Sequence, residues 1–358
     1  MECIMFKRVA TALVTAAFGL TASCGLGAGE QVLPETQKST WPVSPAEKQG
    51  FDSKKLGLIK DFIEARTGTT GLAVAVNGSI IYTYGDIKQV SYIASCRKSV
   101  LSMLYGIYVQ RGKIQLDKTL GELNIDDNTP LLPVEKTATV YDLITARSGI
   151  YLPAANAGGS GAEKNLPRGK TRPGTVFVYN NWDFNAAGTI FEKQTGISIY
   201  QALQKELVEP LEMEDFQYSM HKKSGDSKKS QHLAYHMHFS TRDMARLGEL
   251  MRLNGKWKGK QIVPAEWVKK STTPVSVFPK GHNSGYGIMW WTLRDDKFPE
   301  EFKGAYTASG LYGQRITVLP ALNMVVAHKS AGNRKKPTRG KDYQTILQMI
   351  IQARLNVK

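Results

Sequence analysis

Apolar residues along this chain recur at two different periods, and the two kinds of stretch follow one another in a definite order. Residues 51–66 place Leu56, Ile59, Phe62 and Ile63 three to four positions apart, the spacing of one helix face. Residues 95–111 do the same with Val100, Leu101, Met103, Leu104, Ile107 and Tyr108, and Gly112 supplies the stop. Patches at 140–146, 182–195 and 200–207, and longer ones at 241–254 and 342–355, predict further helices. Between the first two helices lie β-rich runs at 71–76 and 80–84, and Asn77-Gly78 between them predicts a hairpin turn. Strand-like runs return only at 285–293, 315–319 and 324–328. Strands at both ends with a helical middle predict one sheet to which both ends contribute, the middle forming an inserted lobe.

The N-terminus has a different pattern. Lys7-Arg8 precedes an uncharged apolar stretch, residues 9–20, and the small residues Thr21-Ala22-Ser23 lead to Cys24 and Gly25. This is the layout of an export signal, too short to stay in a bilayer as a permanent span. Export to the periplasm is therefore expected. Either the signal is cleaved nearby, or Cys24 takes a lipid and anchors the protein to the membrane. Lipoprotein signals usually carry Leu three places before the cysteine, whereas here Thr21 holds that place and Leu20 lies one further back. The expected organisation is a signal at 1–24, a Gly/Pro/Ser/Thr-rich linker at 25–48 and a folded domain at 49–358, with a helical lobe at about 93–234. Cys3 belongs to the removable segment and Cys24 to its edge. That leaves Cys96 alone, so no internal disulfide is available and the fold must rest on its core.

Composition adds one unusual value. An apolar fraction of 42% and a charged fraction of 22% suit an ordinary globular core, but the net charge is +16. Lys and Arg are spread along the chain, and the two local runs, 221–229 and 334–341, lie in Gly/Ser/Pro-containing stretches that read as loops. A solvated basic surface is the expectation. No zinc-finger, RNA-recognition or helix-turn-helix signature accompanies the charge, and no nucleic-acid partner is expected. His232, His236 and His238 are close in sequence but lack the carboxylate or flanking motif of a metal site, so neither metal nor cofactor is expected.

Candidate chemistry begins at Ser95-Cys96-Arg97-Lys98. A serine and a lysine three residues apart share one face of a helix, which sets an amine beside a hydroxyl. The hydroxyl is a nucleophile only if a base removes its proton. A helix N-terminus also favours negative charge developing there. The same spacing recurs at Ser219…Lys222, so the tetrapeptide alone does not choose between the two copies.

The context chooses. Gly112-Lys113-Ile114-Gln115-Leu116-Asp117 follows the first copy, and then come residues 139–150, reading TVYDLITARSGI. Pro173-Gly174 leads into Tyr179-Asn180-Asn181, with Gly188 and Gly196 behind it. Residues 241–248, Tyr286-Gly287 and Ser309-Gly310 complete the series. In these motifs and their order the chain resembles the serine β-lactamase and penicillin-binding-protein superfamily over nearly all of residues 50–358. The likeness is strongest to its class C-like branch, with the related carboxylesterases and 6-aminohexanoate-dimer hydrolases.

The resemblance implies an α/β (α+β) fold, with a central antiparallel sheet flanked by helices and a mostly helical inserted lobe. It implies Ser95 as a nucleophile forming an acyl-enzyme, and Lys98 as a desolvated amine that accepts or relays the serine proton. Tyr179, a phenol beside that amine, would act as base when partly phenolate and then protonate the leaving group. Asn181 would bond Lys98 or a substrate carbonyl. The oxyanion donors would be the N–H groups of Ser95 and Leu311. Ser309 keeps a motif hydroxyl, and Gly310 would leave room for substrate. The departure is Ala308, which stands where the family carries a lysine or histidine; Arg315 or His328 could supply a cation instead.

These expectations rank an esterase or amidase, acting on a small-molecule ester, amide or short peptide, ahead of a β-lactamase or D,D-peptidase. A non-catalytic sensor or binding protein of the same fold is the alternative from another class.

Overall fold

The computed structural model describes residues 41–161, 165–278, 284–293, 299–331 and 337–355. The expected export signal, Cys24 and the first part of the expected linker lie outside the described residues. Eight strands make the main sheet: β1 Thr69–Val76, β2 Ser79–Gly85, β3 Ser276–Val277, β4 Ser284–Tyr286, β5 Trp291–Leu293, β6 Tyr306–Gly310, β7 Gln314–Leu319 and β8 Met324–Ser330. They lie side by side in the order β2-β1-β8-β7-β6-β5-β4-β3, each neighbouring pair antiparallel. The last strand thus closes on the first hairpin, with Ala73 opposite Ala327 and Val74 opposite Val326. The expected mixed α/β architecture with a large antiparallel sheet is what the chain adopts.

Alternation along β1 sorts two cores. Leu72, Val74 and Val76 point to one face, where they meet helices α1 (Ser53–Arg66) and α5 (Gly340–Gln352) through Leu56, Ile59, Ile346 and Ile350. Ala73 and Ala75 point to the other, larger core, which holds α2 (Cys96–Gln110), α3 (Asn181–Thr195) and α4 (Thr241–Arg252). Small residues in the strand let helices approach closely here. At Gly248 of α4 a Cβ would fall 2.5 Å from a Val325 methyl. Asp52 starts α1 by accepting the N–H groups of Lys54 and Lys55. Helix α2 is the centre of the molecule: every residue from Cys96 to Tyr108 is buried, polar ones included.

Three local expectations need correction. The apolar run 285–293 is not one strand but β4 and β5 folded back on each other, with Tyr286 opposite Trp291. The reversal uses Met289 at φ +60° and Gly287, where a Cβ would lie 2.2 Å from Ser271 O. Its turn residues are buried and apolar, so no polar punctuation marks it. The linker does not extend to 48. Trp41 is buried in the larger core and its indole N–H donates to Gly78 O at 2.7 Å, while Val43 pairs with Ile80. The patch at 200–207 is helical as expected, an α-helix, Ile199–Leu203, that widens into a π turn at Gln204–Val208. The basic run at 221–229 begins in a strand, Lys222–Ser224, paired with Ala234–His236, rather than in a loop.

Helix α2 is held from behind by the helix Ala265–Thr272, whose Trp267 indole covers Gly106 and donates to Ser102 O at 2.8 Å. A Cβ at 106 would stand 2.3 Å from the indole ring. Gly106→Val should therefore destabilise the protein by about 1–3 kcal/mol, seen as a lower urea midpoint at unchanged slope. An unchanged midpoint would mean that the indole is not fixed there.

Candidate active site

The chain reaches α2 through a tight corner. Ser91–Tyr92 pairs with His238–Phe239, Ala94 takes φ +49°, and Ser95 becomes the residue that opens the helix. A non-glycine residue in the left-handed region is strained, and such strain persists where the surroundings hold it. Ser95 is half-buried, and one turn further on Lys98 is 1% exposed. The Lys98 Nζ lies 2.9 Å from Ser95 Oγ, 2.7 Å from Tyr179 Oη and 2.8 Å from Asn181 Oδ1. Four sequence-predicted residues from two stretches of chain thus meet at one nitrogen.

The Tyr179-Asn180-Asn181 triplet is placed by the start of α3. The Asn180 side chain accepts the Trp182 N–H at 2.9 Å and donates to Ile150 O at 2.8 Å, which fixes the chain on both sides of the cap. Asn181 donates from Nδ2 to Ala157 O at 3.1 Å, so its Oδ1 faces Lys98 and can only accept. Of the two alternatives expected for Asn181, it takes the bond to Lys98.

Electrostatics sets the charge state of this cluster. Burial pushes the Lys98 amine well below its ordinary 10.5, and the neighbouring Arg97 guanidinium lowers it further. The rings of Tyr179 and Phe184 lie 4.5 and 4.7 Å from Nζ and replace water there. Burial also pushes the Tyr179 phenol up to about 12, against the opposing pull of its hydrogen bond to Ser95. The resting phenol is therefore protonated, which corrects the expectation of partial phenolate. A neutral amine offers two N–H groups and one lone pair. One N–H goes to Asn181, so one of the two hydroxyls can donate its proton to the lone pair. In that arrangement a neutral Lys98 would be able to take the Ser95 proton.

The opposite wall of the site is the end of β6. Ser309, Gly310, Leu311 and Tyr312 border a cavity of about 530 Å³ together with Ser95, Tyr179 and Asn181. Neither the Ser95 nor the Leu311 N–H is taken by a turn or cap hydrogen bond among the described residues. Gly310 has a reason different from the one expected. Its backbone is extended at φ −123°, and a Cβ would meet Ile93 O at 2.6 Å, so the glycine lets β6 pass against the corner before the nucleophile. Ala308 points into the core, fully buried, and does not line the cavity. Of the two residues expected to replace a motif cation, His328 cannot. It is buried between Thr69 Oγ1 and Gly313 O, and burial pushes its pKa down to about 4. Arg315 does line the cavity, with Nη1 donating to Gly310 O and Gln314 O, each at 2.8 Å.

The sequence reading missed Trp291, which packs 5.4 Å from the Tyr179 ring at the cavity wall, and Phe184 and Arg97. Arg97 stood inside the quoted tetrapeptide and could have been noticed as a cation on a helix otherwise buried. The second copy of the pattern falls away: Ser219 and Lys222 are exposed and lie in a 3₁₀ turn and a strand, not on one helix face.

The lowered pKa of Lys98 has a consequence for stability. Between its folded pKa and 10.5 the unfolded chain holds a proton that the folded site does not, so stability rises with pH across that window. Relative to Lys98→Met, the wild type should gain about 1.4 kcal/mol per pH unit as pH is raised toward 10.5, measured by denaturant unfolding. A difference that does not change with pH would mean that the folded lysine is charged.

Fold and site define a class, and sequence comparison agrees with it. A beta-lactamase family model matches residues 57–349, and the chain belongs to that family. Solved structures with the same fold include a protein assigned as a 6-aminohexanoate-dimer hydrolase from Bacillus anthracis, 22% identical, with a TM-score of 0.65 over 88% of this chain and 87% of that one. A mutant of a class C beta-lactamase is 17% identical, with a TM-score of 0.62 over 84% of this chain and 98% of that one. A penicillin-binding protein homologue from Caulobacter crescentus is 13% identical, with a TM-score of 0.61 over 85% and 99% of the two chains. No curated protein sequence matches the chain.

Proposed function

We propose that this protein is a serine hydrolase that cleaves an ester or linear amide bond of a small molecule or short peptide through a Ser95 acyl-enzyme. The observation that carries the reading is the Lys98 nitrogen, withdrawn from water and within 2.9 Å of the Ser95, Tyr179 and Asn181 oxygens. In this reading the neutral Lys98 amine takes the Ser95 proton as Oγ attacks the carbonyl carbon. The N–H groups of Ser95 and Leu311 receive the developing oxyanion. The Tyr179 hydroxyl, bonded to both the amine and the serine, then passes a proton to the leaving alcohol or amine and is reprotonated by Lys98. Water repeats the cycle against the acyl-enzyme.

The substrate class follows from what lines the cavity. A lysine or histidine at 308 is absent and that side chain is buried, which favours esters and linear amides over β-lactams. The relative assigned as a 6-aminohexanoate-dimer hydrolase supports the same preference. Export to the periplasm, with or without a lipid on Cys24, completes the proposal. A Cys24→Ser variant that still incorporates radiolabelled palmitate would exclude that cysteine as the anchor.

A panel of a p-nitrophenyl ester, a linear oligoamide and nitrocefin tests the reading. Ester or amide turnover should vanish in Ser95→Ala and fall about 10²–10⁴-fold in both Lys98→Ala and Tyr179→Phe, with folding intact. Near-normal rates in the last two would reject the mechanism. Nitrocefin cleaved faster than the other substrates would make the protein a β-lactamase. No turnover of any substrate would favour a binding or sensor protein.

A further inference from the structure

A second buried lysine, Lys329, stands near the end of β8, opposite Gly71 of β1, and the mechanism above gives it no role. It is 1% exposed. Its Nζ donates to Ser91 O at 2.9 Å and to Phe239 O, so both partners are backbone carbonyls. Burial pushes the amine down to about 7. The acid whose charge it feels, Asp243, is engaged elsewhere, accepting the Glu214 and Asp215 N–H groups at 3.1 and 3.2 Å.

Three arginines withdrawn from solvent in this protein are treated differently. Arg246, 2% exposed, meets Glu214 at 2.5 Å. Arg252 meets Glu249, and Arg242 meets Asp215, each at 2.6 Å. Fixing a long side chain loses rotamer freedom, and burying an amine away from a counter-charge loses hydration. The fold therefore tolerates at Lys329 a cost that it avoids at these three.

The second observation is where the two carbonyls lie. Ser91 and Phe239 stand opposite each other in the short ladder of Ser91–Tyr92 and His238–Phe239, so one amine grips both strands at the same rung. From that rung the chain runs directly to the nucleophile. Tyr92 lines the cavity, the Ile93 N–H donates to Met237 O at 3.1 Å, and Ala94 takes φ +49°. On the other side β6 presses against Ile93 O at Gly310. A left-handed alanine persists only where its surroundings hold it, and here the ladder and β6 hold it between them.

We propose that Lys329 is a positioning residue for Ser95, clamping the Ser91 and Phe239 carbonyls so that the corner at Ala94 stays closed. The proposal deepens the reading of Ser95 as a nucleophile and rests on it for any effect on turnover. Lys329 touches neither the cavity nor Lys98 and acts through the backbone it holds. What it secures is the 2.9 Å approach of Ser95 Oγ to Lys98 Nζ and the aim of the Ser95 N–H. A small misplacement of reacting groups is costly even when its origin is remote from the chemistry. Loss of the amine also takes a donor from two buried carbonyls at once.

Variants at 329, compared where each is fully folded by urea unfolding, test this. In Lys329→Met, kcat for a p-nitrophenyl ester and the rate of fluorophosphonate labelling at Ser95 should both fall about 10- to 100-fold, with KM little changed. Lys329→Arg, which keeps donors for both carbonyls, should recover part of both rates. Leu72→Ala, which opens the core on the far face of the sheet, should lower the urea midpoint and leave both rates unaltered. Lys329→Gln, with a shorter donor, replaces Lys329→Met if the methionine variant does not fold. Normal rates in the folded variant overturn the proposal, as does a rise in KM alone or an equal loss of rate in Leu72→Ala. Amide hydrogen exchange separates this from the hydrolase reading, because it needs no turnover. Exchange over residues 92–96 should be faster in Lys329→Met than in the wild type, and unchanged exchange overturns the clamp. Faster exchange in a protein that neither labels nor hydrolyses counts against the hydrolase reading and leaves the clamp standing.

Discussion

The burial of the Lys98 amine is the constraint around which the rest of the structure is arranged. Helix α2 carries it into the middle of the molecule, with Phe184 and Tyr179 of the α3 side closing over it and Asn181 holding one of its protons. To keep a lysine there, the protein must surround α2 completely, and it does so with core residues from the sheet, from α3 and from α4. Burial lowers the pKa of the amine in return, and an amine that sheds its proton more readily beside a serine is a candidate base. Fold and chemistry are the same fact seen at two scales.

The cluster also shows where stability and function oppose each other. A lysine well below its ordinary pKa, a tyrosine pushed up to about 12 and a buried arginine whose Nη1 has no hydrogen-bond partner among the described residues stand within one turn of helix and the segment facing it. Ala94 at φ +49° and Tyr312 at φ +65° add backbone strain on either side of the cavity. None of these features helps the chain to fold. Elsewhere the same protein pairs its buried charges with care, as at Arg246 and Glu214. The contrast marks the site without reference to any relative.

Much of this was legible in the sequence. Periodicity located α1, α2, α3, α4 and α5 to within a few residues, because each is long and carries a regular apolar face. The Asn77-Gly78 turn located the first hairpin, and ordered motifs selected Ser95, Lys98, Tyr179 and Asn181 from many serines, lysines and tyrosines. What was not legible depends on packing. The reversal between Tyr286 and Trp291 is made by buried apolar residues, so the strand pattern runs straight through it. The reason for Gly310 lies in how closely β6 passes Ile93, a contact 217 positions away in the chain, as the two residue numbers give. The charge of Tyr179 could not be read either, since burial and a hydrogen bond act on it in opposite directions.

The central claim is that a neutral Lys98 activates Ser95, and the rate at which a fluorophosphonate labels Ser95, followed from about pH 5 to pH 11 with the adduct located by mass spectrometry, tests it most directly. The account predicts labelling that is already fast near neutral pH, declines on acidification as Lys98 takes up a proton, and is lost in Lys98→Met. Labelling that rises only as pH passes the ordinary lysine value of 10.5, or that persists at full rate without Lys98, would contradict it.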